Sequence, residues 1–71
     1  MTHVIYVGGS KDGTRGMMPY GLRKLQADGQ QGREIYVEKT MDLNGVGRIR
    51  VMALEGLHED VLIRQLHQHY R

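Results

Sequence analysis

Residues 34–41, Glu-Ile-Tyr-Val-Glu-Lys-Thr-Met, and residues 48–54, Arg-Ile-Arg-Val-Met-Ala-Leu, flank Asn44-Gly45. Both flanks are rich in β-branched and aromatic residues. Asn-Gly is the strongest short hairpin signal, because a tight turn of the right twist needs residues that accept positive φ. The stretch therefore reads as two antiparallel strands. Charge suggests the register. A two-residue turn at Asn44-Gly45 would set Lys39 against Arg50. Pairing Glu38 with Arg50, Val37 with Val51 and Tyr36 with Met52 instead gives one opposite-charge and two apolar cross-strand pairs. That register expects a bulged or longer loop over residues 42–47, with Gly47 as the bulge residue.

Beyond this hairpin, Leu57, Val61, Leu62, Leu66 and Tyr70 share one helical face, while Glu59, Arg64 and Gln68 lie away from it. Residues 57–70 read as an amphipathic helix packed on the sheet. Its charge order complements the helix dipole, with Glu59 and Asp60 in the first turn and His67, His69 and Arg71 in the last.

Before the hairpin, Thr2 to Val7 reads as a strand stopped by Gly8-Gly9. Its apolar residues run continuously, which suits a strand covered on both faces or lying centrally. Residues 8–16 hold four glycines and exclude helix on propensity. Asp12-Gly13 is the turn signal there, and residues 14–18 can return as a short strand antiparallel to the first. Residues 19–32 read as a mobile, polar connection with room for one or two helical turns around Leu22 and Leu25, hemmed by Gly21, Gly29 and Gly32. The expected architecture is one α+β domain over residues 1–71, a small antiparallel sheet of three or four strands with one C-terminal amphipathic helix packed on it.

Composition narrows the function classes. With no Cys among 71 residues the chain holds neither a disulfide nor a thiolate zinc site, the usual supports of so small a domain. It has no apolar run of the roughly 18 residues that mark a membrane span, so no membrane partner is expected. Without Phe or Trp the core is thin, and self-association as a homodimer or higher homo-oligomer is the expected compensation.

Catalysis and metal binding find little support. Ser10 is the sole serine and lies at the far end of the first strand from His3. A nucleophile–base relay is not suggested. His67 and His69 fall about 200° apart around a helix axis, unsuited to chelating one ion. No enzyme activity, metal or cofactor is expected.

The glycine-rich loop is the candidate binding site. Gly8 and Gly13 have the spacing of the glycines in a phosphate loop, but Thr14 stands where that motif needs Lys. What survives is a backbone nest of amides from Gly8, Gly9 and Gly13, supported by Ser10, Lys11, Thr14 and Arg15, that could receive a phosphate. Four of the ten basic residues, Lys11, Arg15, Arg23 and Lys24, fall in this region against one carboxylate, Asp12. Tyr20 beside Arg23 could stack on a base. The competing plain reading is a ligand-free glycine-rich connection with a solvated basic surface.

Residues Tyr6-Val7-Gly8-Gly9-Ser10-Lys11-Asp12-Gly13 resemble the opening of a group of small bacteriophage and prophage proteins, in which a short strand leads into Val/Ile-Gly-Gly-Pro-x-Asp-Gly. Ser10 stands where that group usually has Pro. The Tyr-containing strand at 34–41, the strand at 48–54 and the closing Leu54-Glu55-Gly56-Leu57 with its helix match in kind. The resemblance implies a phage or mobile-element accessory protein acting in a bacterial cytoplasm. The resulting expectation is a non-enzymatic binding protein that inhibits a host protein or sequesters a phosphorylated small molecule such as a nucleotide. A nucleic-acid-binding regulator using the same basic patch, and a ligand-free assembly protein, are the alternatives.

Overall fold

The computed structural model describes residues 2–29 and 32–70. Five strands, β1 (Thr2–Val7), β2 (Arg15–Met18), β3 (Lys24–Gly29), β4 (Gly32–Leu43) and β5 (Gly47–Leu54), precede one helix, α1 (Glu59–His69). They form a single sheet in the order β2-β1-β5-β4-β3, curled into a half-barrel. The α+β class stands. The sheet, however, has five strands rather than three or four, and it is mixed rather than antiparallel, because β1 and β5 run parallel.

The extra strand comes from the stretch read as a connection. Lys24, Gln26 and Asp28 are exposed while Leu25, Ala27 and Gly29 are half-buried, the period-two alternation of a strand. β3 pairs antiparallel with β4 down to Gly29 opposite Gly32. The glycines that argue against helix are equally compatible with a strand and its hairpin end; Gln30 and Gln31, within the same stretch, lie outside the described residues. Of residues 14–18, Arg15–Met18 do return as a strand, β2, antiparallel to β1. Between them Gly9–Lys11 forms one 3-10 turn. Its entry at Gly8 (φ 88°) and Gly9 (φ 66°) uses the left-handed region that favours glycine.

The central hairpin exists, in a different register. Leu43 faces Gly47, Asp42 faces Arg48, Thr40 faces Arg50 and Glu38 faces Met52. This is two residues from the expected pairing of Glu38 with Arg50. The loop is longer than two residues, as expected: residues 44–46 turn with Val46 N–H donating to Leu43 O at 3.1 Å, and Gly45 (φ 82°) and Gly47 (φ 99°) supply the positive dihedrals. The opposite-charge pair is met by Asp42 and Arg48, whose Oδ1 and Nε lie 3.4 Å apart. A slip of two preserves which face each side chain occupies.

Both faces of the sheet are apolar. On one, Ile5, Val7, Leu43, Val51 and Ala53 pack under Leu62 and Leu66 of α1. Among the described residues the other has no second layer. There the curl brings Met18 of β2 and the half-buried Leu22 and Leu25 onto Val4, Tyr6, Tyr36 and Met52. The Tyr6 and Tyr36 rings meet edge to face, with centroids 5.2 Å apart. Between β2 and β5, β1 is thus covered on both sides, which accounts for its unbroken apolar run.

The helix starts at Glu59, later than the expected Leu57. Gly56 (φ 87°) turns the chain out of β5, and Leu57 packs on the core that contains Leu62, the two positions of a hydrophobic staple around the N-cap. That cap is His58, whose Nδ1 accepts from Asp60 N–H at 3.2 Å. Glu59 and Asp60 occupy the first turn and His67 and His69 the last; Arg71 lies outside the described residues. No helix among the described residues is long and apolar enough to cross a membrane.

Candidate functional site

The main-chain amides of Gly8, Ser10, Lys11 and Gly13 in the glycine-rich loop are engaged within the chain. Gly8 N–H donates to Asp12 Oδ1 at 2.8 Å. Ser10 N–H donates to both carboxylate oxygens of Glu34, at 3.2 and 3.0 Å. Lys11 N–H donates to Tyr36 Oη at 3.2 Å, and Gly13 N–H to Tyr6 O at 2.8 Å. Of these amides, that of Ser10 is held by a carboxylate from another element, Glu34 of β4. Gly9 is required for this approach, since a Cβ there would stand 2.5 Å from Glu34 Oε2.

The side chains of the same loop are spread over two surfaces. Thr14 Oγ1 donates to Lys11 O at 2.7 Å, and Lys11 Nζ sits 5.2 Å from the Tyr6 ring centroid. Asp12 Oδ1 lies 3.0 Å from His69 Nε2, fastening the loop to the end of α1. Tyr20 and Arg23 are exposed on the connection between β2 and β3, and Lys24 Nζ lies 3.5 Å from Glu55. Among the sequence-derived candidates, Arg15 alone reaches a cleft rich in basic groups.

That cleft is a consequence of strand topology. The parallel ladder joins β1 to β5 only from Ile5–Val51 to Val7–Ala53. Upstream both strands continue, β1 paired with β2 as far as Thr2 and β5 paired with β4 as far as Gly47. The gap between their first halves opens into a cleft of about 430 Å³, within the size range of small-molecule sites, roughly 300–1,000 Å³. Val4, Ile5 and Ile49 give it apolar walls, and Arg15, Arg48, Arg50 and His3 line it with no carboxylate among the lining residues.

The three guanidinium groups differ in setting. Arg15 stacks on the Tyr70 ring, its Cζ 4.8 Å from the centroid, which fixes the plane of the fork. Arg48 is exposed and only loosely matched with the exposed Asp42, a pair that solvent screens. Arg50 donates through Nη2 to Pro19 O at 3.2 Å and Leu22 O at 3.0 Å. Its Nη1 is buried and has no hydrogen-bond partner. A buried donor in this state costs about 1–3 kcal/mol, more when charged.

Arg48, Arg50 and His3 are not among the sequence-derived site residues. Arg48 and Arg50 alternate on one face of a strand, which is visible in the sequence. The cleft they share with Arg15, which lies on the opposite face of the sheet, depends on the parallel β1–β5 pairing, which is not. Among the described residues, no group of three or more His, Cys, Asp or Glu could hold a metal ion. No family model, curated protein or solved structure matches the chain.

Proposed function

We propose that this chain is a small non-enzymatic binding protein that sequesters a phosphorylated small molecule of nucleotide size in the β1–β5 cleft, which Arg15 borders from the helix-covered face of the sheet and Arg48 and Arg50 from the other. The observation that carries the reading is a cleft bordered by Arg15, Arg48, Arg50 and His3 and by no carboxylate, with Arg50 carrying a buried, unpartnered Nη1. Guanidinium forks suit phosphate oxygens in geometry as well as charge. The apolar walls and the Tyr70 ring offer the rest of the ligand a non-polar surface. The resemblance of residues 6–13 to phage proteins supports placing this activity in a bacterial cytoplasm during infection.

Thermal unfolding with inorganic phosphate, a mononucleotide and a short single-stranded RNA, each at low and high salt, tests the proposal. The mononucleotide should raise the midpoint, by an amount equivalent to about 2.7 kcal/mol at a hundredfold excess over Kd. Arg15→Ala and Arg48→Ala, both at exposed positions, should each weaken binding by about 10- to 100-fold, the loss expected for one charged hydrogen-bonding group. Binding confined to the RNA and falling steeply with salt would favour a nucleic-acid regulator instead. Indifference to all three phosphorylated compounds would reject the assignment.

A further inference from the structure

We infer that two copies of this chain join through the outer edge of β3, antiparallel about a two-fold axis at Gln26. Among the described residues β3 ends the sheet, with β4 on one side and no strand on the other. Glu38 N–H donates to Arg23 O, and β3 and β4 continue in that register. In an antiparallel ladder alternate residues direct both main-chain groups to the same side. Leu25 and Ala27 therefore bond toward β4, leaving the N–H and C=O groups of Lys24, Gln26 and Asp28 aimed outward.

Self-pairing must place these outward-directed residues opposite one another. The register with the greatest overlap sets Gln26 against Gln26 of the second copy, and Lys24 against Asp28 in both directions. Six main-chain hydrogen bonds close, and each of the two outer pairs is an ammonium facing a carboxylate, the favourable cross-strand combination. Lys24 is 68% exposed at its side chain and shares Glu55 at 3.5 Å, which leaves donors for Asp28 of the second copy. On the opposite face the half-buried Leu25 and Ala27 lie against the Tyr36–Met52 core. Pairing brings Leu25 of one copy beside Ala27 of the other and extends that core across the junction. At the other sheet edge β2 offers only four residues, Arg15–Met18, with no acidic partner for Arg15.

Sedimentation equilibrium of the intact chain is the test. The unsubstituted protein should sediment at twice 8.1 kDa. Asp28→Lys sets ammonium against ammonium, and Lys24→Asp sets carboxylate against carboxylate, so each variant alone should be monomeric. An equimolar mixture of the two should dimerise, because the two lysines on the β3 edge of one variant then face the two aspartates on the β3 edge of the other. Gln26→Pro removes an N–H that does not serve the β3–β4 ladder, and a folded, monomeric variant is expected. Monomeric wild-type protein at high concentration, a dimer that survives Gln26→Pro, or a mixture that stays monomeric would each overturn the inference.

Discussion

The carboxylate of Glu34 sits on the main-chain N–H of Ser10, both oxygens within 3.2 Å, and so a side chain of β4 holds the loop that follows β1, 24 residues earlier in the chain. Charge-assisted bonds of this kind contribute about 1.5–3 kcal/mol. Glu34→Ala is expected to lower stability by an amount in that range. In a domain of this size, 1 kcal/mol moves the midpoint by about 4–8 °C, so a thermal melt resolves it.

Gly29 provides a sharper check on the same contact. A Cβ at Gly29 would stand 2.5 Å from Glu34 Cδ, a distance that forces the carboxylate off the loop. Gly29→Ala should therefore destabilise the wild-type chain and have little effect in the Glu34→Ala background. The double-mutant cycle measures the difference. Additive losses would mean that the two residues do not interact.

Tyr36 links the same loop to the second core. Its hydroxyl donates to Gly8 O at 2.9 Å and accepts from Lys11 N–H. Burial raises its pKa above the ordinary 10.0; the Lys11 N–H opposes this, and the Glu34 and Asp12 carboxylates add to it. A raised folded-state pKa means that the proton is bound more tightly in the folded chain. The stabilisation is thus fully present below pH 10.0 and is lost as pH rises through the higher folded value. Alkaline titration of stability should show a decline above about pH 10 that Tyr36→Phe abolishes, although the variant starts less stable at neutral pH.

The helix, the first strand and the central hairpin are legible because each carries a strong periodic or turn signal of its own. Leu62 and Leu66, read as part of the buried stripe, are fully buried. β3 is hidden because Leu25 and Ala27 are only partly buried, so its alternation is faint beside three nearby glycines. Charge at Glu38 and Arg50 misleads on the hairpin register, because the three-residue loop brings Asp42 to Arg48 instead. The cleft is not visible at all: it arises from a parallel pairing between residues more than 40 positions apart. The glycine-rich loop draws attention for its amides, and the side chains that accept from two of them, Glu34 and Tyr36, lie in a different element.

The helix-side core gives a plain stability prediction. Leu62 and Leu66 are the buried residues of α1, and the helix is fixed on the sheet through that stripe. Leu66→Ala should cost about 2–5 kcal/mol. Leu62→Asp, which buries a carboxylate without a partner, should leave the chain unfolded by circular dichroism. A folded Leu62→Asp protein would mean that the helix is not anchored through this face.

Arg50 couples the cleft to the connection between β2 and β3. Its Nη2 spans Pro19 O and Leu22 O, and Leu22 packs on the second core, so one guanidinium ties the connection between β2 and β3, a strap over the second core, to β5. Arg50→Lys keeps the charge but cannot fork across both carbonyls. Hydrogen exchange at Leu22 N–H, which donates to Pro19 O at 3.3 Å, should accelerate in Arg50→Lys more than exchange at Val51 or Met52 in the sheet. A phosphoryl ligand on Nη1 would hold the same guanidinium in place, so in the wild-type chain it should slow exchange at Leu22, and in Arg50→Lys that protection should largely disappear. Protection of Leu22 by ligand that is equal in the two proteins would show that the strap is held by packing alone.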